Sequence, residues 1–431
     1  MIQLVRGFRD ILPDEVESWK HIENIAAGLF TSFGFREIRT PILENTALFQ
    51  RSIGEHTDIV EKEMYTFPGS RDAMLTLRPE ATASVVRAYI QQRLYAVDPV
   101  QKLYTIGPMF RRERPQKGRY RQFYQINAEV FGIASPLMDA QLIVMLNHLF
   151  AALGISGLSI QLNSLGCPAC RPDFKAALSD RLKAADGLCG DCLRRRETNP
   201  MRVLDCKVPC CQAVIADAPV MADYLCDDCA RHFQAVTGAL DGRNIAYVIN
   251  HRLVRGLDYY CRTAFEFQTT ELGAQNAVAG GGRYDGLVAA LGGPAQPAIG
   301  FAVGMDRLVE LLHLTRPPKA MAPDLFVAAI GDRAATLAYD WSCDLSLSGV
   351  KTEIDFSGKS LKALMKRADR LQAPYVLIAG DQELDAGAVI VRDMKTKAQE
   401  SVPMDRLVGH VLKLIEAKNN GWEIKNNKIE S

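Results

Sequence analysis

Apolar and polar side chains alternate over residues 103–110 and again over 121–131, the period-two pattern of strands with one covered face. The polar stretch between them, 112–120, predicts the long turn of an antiparallel hairpin. Upstream, Val16, Trp19, Ile22, Ile25, Ala26 and Leu29 recur at helical spacing, so 14–33 predicts an amphipathic helix capped by Asp14. Residues 35–40 alternate like a strand and stop at Pro41. A hairpin is expected over 64–77, turning at Gly69-Ser70-Arg71-Asp72. Helices follow over 81–93 and 139–152, and strands over 158–162, 246–250 and 263–268. Residues 298–308 read as a strand passing into a helix at the turn Gly304-Met305-Asp306.

The rhythm changes after the linker Thr315-Arg316-Pro317-Pro318-Lys319-Ala320. Strands at 324–330, 351–355 and 375–379 alternate with helices at 333–347 and 360–371. Strands at 388–393 and 400–403 and a helix at 405–418 complete a small, mostly parallel α/β domain. The polar stretch 419–431 has no periodicity and is expected to form a disordered tail. Between 164 and 238 the composition shifts to Cys, Arg and Asp, the mark of an inserted module. The division expected is a split first domain (1–163 and 239–316), the insert (164–238) and a C-terminal domain (323–418). The overall class is α/β, with an α+β first domain built on an antiparallel sheet flanked by helices.

A chain of 431 residues has room for three such domains. Its net charge of +1 means that any nucleic-acid surface has to come from local clusters. No apolar run approaches the roughly 20 residues that span a bilayer, and the charged N-terminus has no signal-peptide core. A cytoplasmic protein with no membrane partner is therefore expected. Nine of the eleven cysteines fall between Cys167 and Cys229, a density that points to metal rather than disulfides in such a protein.

Those cysteines form three CxxC pairs, Cys167 with Cys170, Cys189 with Cys192 and Cys226 with Cys229. Cys206 with Cys210 or Cys211 makes a fourth. Two such pairs per ion is the arrangement of a closed thiolate zinc site. The insert also has few large apolar side chains for a core of its own, which favours one or two structural Zn²⁺ ions. The set is Cys167, Cys170, Cys189, Cys192, Cys206, Cys211, Cys226 and Cys229.

The hairpin turn carries its own chemistry. Arg111, Arg112, Arg114, Lys117, Arg119 and Arg121 put six cations within eleven residues, opposed by Glu113 alone. Such a loop suits open water or a polyanion. The order of residues favours a nucleotide: Arg111 grips a phosphate, Glu113 accepts from an adenine amino group, and Phe123 stacks on the base.

The segment FRRERPQKGRYRQF within 108–132 resembles motif 2 of the class II aminoacyl-tRNA synthetases, in the form used by the histidyl family. The helix, strand and Pro41 near the N-terminus resemble motif 1, which makes the homodimer interface in that class. Residues 298–308 resemble motif 3. Arg252-Leu253-Val254-Arg255-Gly256-Leu257-Asp258-Tyr259-Tyr260 and Val278-Ala279-Gly280-Gly281-Gly282-Arg283-Tyr284-Asp285-Gly286-Leu287 resemble two signature peptides peculiar to the histidyl family. The last domain resembles the anticodon-binding domain of the histidyl, threonyl, prolyl and glycyl enzymes. The likeness extends from Arg6 to about Lys418.

The resemblance implies a histidine–tRNA ligase using ATP with Mg²⁺, L-histidine and tRNA(His). Arg111 and Arg255 would grip the α-phosphate and carry catalysis. Glu113, Arg119, Phe123 and Arg307 would hold the rest of ATP. Glu80, Thr82 and Gln125 would receive the ammonium of histidine, and Glu129 its imidazole N–H. Tyr259, Tyr260 and Tyr284 would line the pocket, while Arg114, Gln116 and Lys117 would reach the tRNA acceptor end. Read without the family, Glu80 simply opens the helix at 81–93, and the three glycines from Gly280 to Gly282 make either a close ligand approach or a flexible turn. A second reading is the histidine-binding regulatory paralogue of the first enzyme of histidine biosynthesis. That paralogue typically lacks the full first signature and the C-terminal domain, and both are present here. A third, a nucleic-acid module without ATP chemistry, leaves motif 3 unexplained.

Overall fold

The structure, a computed structural model, describes residues 2–54, 57–70, 73–116, 118–272, 276–317 and 321–426, with 418–426 described by backbone only. Contacts divide the chain into two compact units, Met1–Lys319 and Ala320–Ser431.

The strands of the first unit are β1 (Arg36–Glu37), β2 (Leu43–Asn45), β3 (Tyr65–Pro68), β4 (Met74–Leu77), β5 (Gln101–Phe110), β6 (Gln122–Phe131), β7 (Ser159–Ser164), β8 (Val248–Ile249), β9 (Cys261–Gln268), β10 (Ala277–Arg283) and β11 (Ala298–Gly304). Eight of them form one sheet in the order β1-β5-β6-β11-β10-β9-β7-β8, and β2-β4-β3 form a small second sheet. The outermost pairs of the large sheet, β1–β5 and β7–β8, are parallel. Every pairing between them is antiparallel.

The period of two divides the large sheet into two different faces. Ile126, Ala128 and Val130 of β6, Ile299, Phe301 and Val303 of β11, and Phe265 and Phe267 of β9 all join one buried core. Trp19, Ile22, Ala26 and Phe30 of helix Pro13–Ser32 pack onto that face, with Leu142, Leu146 and Leu149 of helix Pro136–Ala152. Each large side chain buried there contributes roughly 1.5–3 kcal/mol. The residues between them in sequence project to the other face. Register sets Gln125 opposite Gly304, Glu129 opposite Gly300, and Gly280 opposite both Ala302 and Glu266. A few polar side chains thus stand on a floor of glycine and alanine.

Several elements depart from the sequence pattern. The first helix begins at Pro13, with Leu12 as N-cap and no side-chain cap; Asp14 sits in the first turn, where it faces the positive end of the helix. The strand expected over 35–40 shortens to β1, and beyond it Thr40 accepts from the Arg78 guanidinium through its carbonyl and hydroxyl. Residues 246–250 yield only β8. The helix expected over 81–93 runs from Thr82 to Gln91, so Thr82 stands in its first turn. The three glycines form neither a turn nor a loop but the middle of β10. Gly69 and Ser70 sit at the expected hairpin turn, while Arg71 and Asp72 lie outside the described residues.

Residues 171–241, which span most of the stretch expected as an insert, are largely helical. Helices Arg171–Lys183, Gly190–Thr198, Pro209–Ala216 and Asp227–Asp241 are joined by two short 3₁₀ turns. Phe174, Leu178, Leu182, Val203, Leu204 and Ile215 pack with its buried cysteines, and this cluster continues into Leu165, Val254, Tyr260 and Tyr284. The shortage of apolar residues is met by sharing a core. Beneath it, a buried network ties helix Asp227–Asp241 to the sheet. His232 Nε2 lies 2.8 Å from Asp139 Oδ2, and Arg283 donates to the same oxygen at 3.1 Å.

In the second unit, β12 (Leu325–Ala329), β13 (Thr352–Ile354), β14 (Tyr375–Ala379), β15 (Ala388–Asp393) and β16 (Gln399–Pro403) form a sheet in the order β13-β12-β14-β15-β16. The first three strands are parallel, as the alternation with helices predicts. The last two are antiparallel, because the links from β14 and β15 are too short for a crossover. The final helix runs from Leu407 to Asn426, beyond the Lys418 boundary. No proline interrupts 419–426, so the helical ladder propagates through residues whose side-chain pattern gives no sign of it. Residues 427–431 of the expected tail are not among those described.

Candidate active site

The hairpin β5–β6 pairs from Gln101 opposite Phe131 to Phe110 opposite Gln122, so its open end carries the cationic loop over the glycine-floored face. There a cavity of about 240 Å³ is lined by Arg111, Glu113, Arg119, Phe123 and Gln125 from the hairpin. Arg255, Glu266 and Arg307 line it from the far side. Residues separated by nearly 200 positions in the chain thus converge on one space.

The hairpin side is preorganised. Arg111 donates through Nε to the Pro79 carbonyl at 2.9 Å and lies over the Phe123 ring at 5.2 Å. Glu113 is buried and ion-paired to Arg119, with Arg111 at 3.7 Å. Burial holds the pKa of Arg111 and of Arg119 below the usual arginine value. An arginine side chain is not deprotonated in proteins, so each remains a cation.

The far side centres on Arg255. Its Nη1 donates to Glu266 Oε2 at 2.5 Å, and its guanidinium lies 5.8 Å from the centre of the Tyr260 ring. A Cβ on Gly280 would sit 2.6 Å from Nη1 and Nη2, and one on Gly282 would press on Tyr260 at 3.0 Å. The glycine run is what allows these side chains to lie against the sheet. Arg307 bonds to the Ala277 carbonyl at the start of the same strand. Its neighbour Asp306 accepts from Tyr124 N at 2.9 Å and from Arg9 at 3.1 Å, which fixes helix Met305–Thr315 to the hairpin.

A second, drier group adjoins the cavity. Glu129 is 1 % exposed and accepts from Thr82 Oγ1 at 2.6 Å and from the Tyr284 hydroxyl. Burial pushes its carboxyl up to about 8, against both of these hydrogen bonds. Glu80 accepts from the backbone N–H of Thr82 and Ala83 at 2.7 and 2.9 Å, closing the start of that helix. Its own pKa is raised by burial. Tyr259, Tyr260 and Tyr284 form a mutually tilted set of rings, with Tyr259 and Tyr284 at 5.5 Å. Gln125 Oε1 and Arg255 Nε are buried without a hydrogen-bond partner among the described residues. Such orphaned atoms cost stability unless a ligand meets them.

The structure therefore brings Arg111, Glu113, Arg119, Phe123, Gln125, Arg255 and Arg307 around one cavity. Beside it lie Glu80, Thr82, Glu129 and the three tyrosines. Arg114 and Gln116 are exposed on the loop, and Lys117 lies outside the described residues. Glu266 is the important member that the sequence reading did not single out for this site. An acid alternating with Phe265 and Phe267 is the signal for Glu266, since it must face away from the core.

The eight cysteines gather into two groups of four. Cys167, Cys170, Cys226 and Cys229 form one, and Cys189, Cys192, Cys206 and Cys211 the other. Cys211 rather than the exposed Cys210 joins Cys206.

A family model described as histidyl-tRNA synthetase matches residues 7–169 and 211–308. The chain belongs to the histidyl-tRNA synthetase family. A second model, described as an anticodon binding domain, matches residues 324–414. The histidine–tRNA ligase of Desulfatibacillum aliphaticivorans is 58% identical over 419 residues, covering 96% of this chain and 99% of that protein. That of Desulforapulum autotrophicum is 57% identical over 417 residues, covering 96% and 98%. Among solved structures, apo histidyl-tRNA synthetase of S. aureus superposes with a TM-score of 0.80 at 36% identity, covering 95% of this chain and all of that one. The family match skips residues 170–210, which hold four of the eight grouped cysteines.

Proposed function

We propose that this chain attaches histidine to tRNA(His) in two ATP-dependent steps, through histidyl-adenylate. The observation that carries this reading is the cavity in which Arg111 and Arg255 approach from opposite sides of a glycine floor. In the first step the carboxylate of histidine attacks the α-phosphate in line, and pyrophosphate leaves. Charge grows on the non-bridging oxygens, and two cations already fixed by Pro79 and Glu266 meet it without reorganising. Glu113 accepts from the adenine amino group, Phe123 stacks on the base, and Arg119 and Arg307 hold the outer phosphates. Mg²⁺ bound with ATP would neutralise phosphate charge, and Glu266 is the carboxylate of the lining that would hold it.

Histidine is held by its two ends. Gln125, Glu80 and Thr82 receive the ammonium, with Gln125 Oε1 the acceptor left open for it. Glu129 meets the imidazole N–H between the rings of Tyr259, Tyr260 and Tyr284. A side chain lacking that N–H forfeits this hydrogen bond in a dry pocket, and this is how such a pocket discriminates. In the second step the acyl group passes to the terminal ribose of tRNA, guided by Arg114, Gln116 and Lys117. The anticodon is read by the domain 323–418.

The same reading divides the first unit into a split catalytic domain (1–163 and 239–316) and the insert (164–238), with structural Zn²⁺ on the paired cysteines. It makes the protein a cytoplasmic homodimer. Supporting the dimer, β1 lies at the free edge of the large sheet, and Ile42 and Leu43 beside it are exposed. No helix among the described residues is long and apolar enough to cross a membrane. Charging of a tRNA(His) transcript with labelled histidine tests the proposal. Histidine binding without any charging would favour the regulatory alternative.

A further inference from the structure

The two groups of cysteines are built as metal sites. All eight thiols are free, and within each group the sulfurs lie within 4.8 Å of one another. Cys167 and Cys170 are 3.5 Å apart, Cys167 and Cys226 3.9 Å, and Cys189 and Cys206 3.9 Å. Four thiolates at about 2.3 Å around one tetrahedral Zn²⁺ would be about 3.8 Å apart. These are the dimensions of a single ion, much wider than a disulfide. Backbone N–H groups already point at the sulfurs: Cys226 N donates to Cys170 Sγ at 3.1 Å, and Cys189 N to Cys211 Sγ at 3.2 Å. Such bonds stabilise thiolate charge.

Both groups also hold the segment that carries Arg255 and Tyr260. Directly after Cys170, Arg171 donates to the Leu165 carbonyl at 3.1 Å and to the Tyr260 carbonyl. Between Cys192 and Cys206, Asn199 donates to Asp258 at 2.8 Å and Arg202 to the Arg255 carbonyl at 2.9 Å. The segment 252–260 is thus gripped from two sides by chain that the cysteines fix.

We infer that each group of four cysteines binds one structural Zn²⁺, and that the two ions brace segment 252–260 through Arg171 and Arg202, setting the position of Arg255 and Tyr260. The bracing rests on the role proposed for those residues, while the metal sites stand independently of it. Four thiolates leave no open position on either ion, so neither takes part in the chemistry.

The test uses full-length protein purified without chelator, with zinc and iron measured by mass spectrometry and thiols titrated under native conditions. About two zinc per chain, with eight thiols protected, is expected. The double variants Cys226→Ser/Cys229→Ser and Cys206→Ser/Cys211→Ser should each retain about one. Arg171→Ala and Arg202→Ala keep every ligand, so they should keep two zinc yet raise the KM for histidine in ATP–pyrophosphate exchange by about tenfold. Arg171→Lys should recover part of that loss. Iron in place of zinc, or no metal with all thiols reactive, would overturn the metal sites. Two zinc with an unchanged KM and kcat in both arginine variants would overturn the bracing. If the unaltered protein bound two zinc but exchanged no pyrophosphate with histidine, the functional reading would fall, and with it the bracing, while the zinc sites stood.

Discussion

Arg255 Nη1 donates to Glu266 Oε2 at 2.5 Å, directly over Gly280, whose missing side chain leaves the guanidinium its place on the sheet. The pair fixes a cation before substrate arrives, which is the condition for electrostatic catalysis without reorganisation. Arg255→Ala should lower the rate of adenylate formation by about 10²-fold, close to 2.7 kcal/mol of transition-state stabilisation, with little change in unfolding midpoint. Single-turnover measurement of histidyl-adenylate reads this directly. A variant as fast as the parent would remove Arg255 from the mechanism.

Gly280→Ala probes the same relationship from beneath. The added methyl meets Arg255 atoms at 2.6 Å, so the guanidinium has to move while the strand pairing is kept. Exchange activity should fall at least tenfold, with thermal stability reduced by no more than about 1–3 kcal/mol. Full activity in this variant would mean that the position of Arg255 is not critical.

Much of this site is legible in the sequence, for identifiable reasons. The hairpin that carries Arg111, Glu113 and Phe123 announces itself through period-two alternation on both sides of a dense cationic loop. Local signals of that kind need no knowledge of the fold. The glycines of β10 mislead because isolated glycines weaken a strand, whereas here two neighbouring strands supply the ladder and Arg255 and Tyr260 need the room. The grouping of Cys167 with Cys226, and the network joining Asp139, His232 and Arg283, depend on chain returning from dozens of residues away. Spacing alone does not carry that information.

Glu129 makes a prediction about pH. Its carboxyl is raised to about 8 in the folded protein, against roughly 4.3 in an unfolded chain. Between these values the folded state holds a proton that the unfolded state has lost. Stability from this group is therefore full below about pH 4, falls as pH rises, and levels off above about 8. Glu129→Gln should lack that slope, so the variant gains on the parent from pH 5 to 8, by on the order of a few kcal/mol. Urea unfolding at pH 5, 6.5 and 8 without ligands checks it. Parallel pH dependences in the two proteins would contradict the buried protonated carboxyl.

The division into two units predicts separable activities. A chain ending at Leu314 keeps every residue of the cavity and loses the region matching the anticodon-binding model. Once its folding is confirmed by circular dichroism, it should retain much of its pyrophosphate exchange and lose at least tenfold in kcat/KM for tRNA charging. Equal charging by the truncated and full-length chains would count against an anticodon role.

ATP–pyrophosphate exchange, run with each of the twenty amino acids in turn, bears most directly on the proposed chemistry. Exchange supported by histidine, with the other nineteen at least two orders of magnitude slower, is the predicted result. Exchange with a different amino acid, or none with histidine, would contradict it.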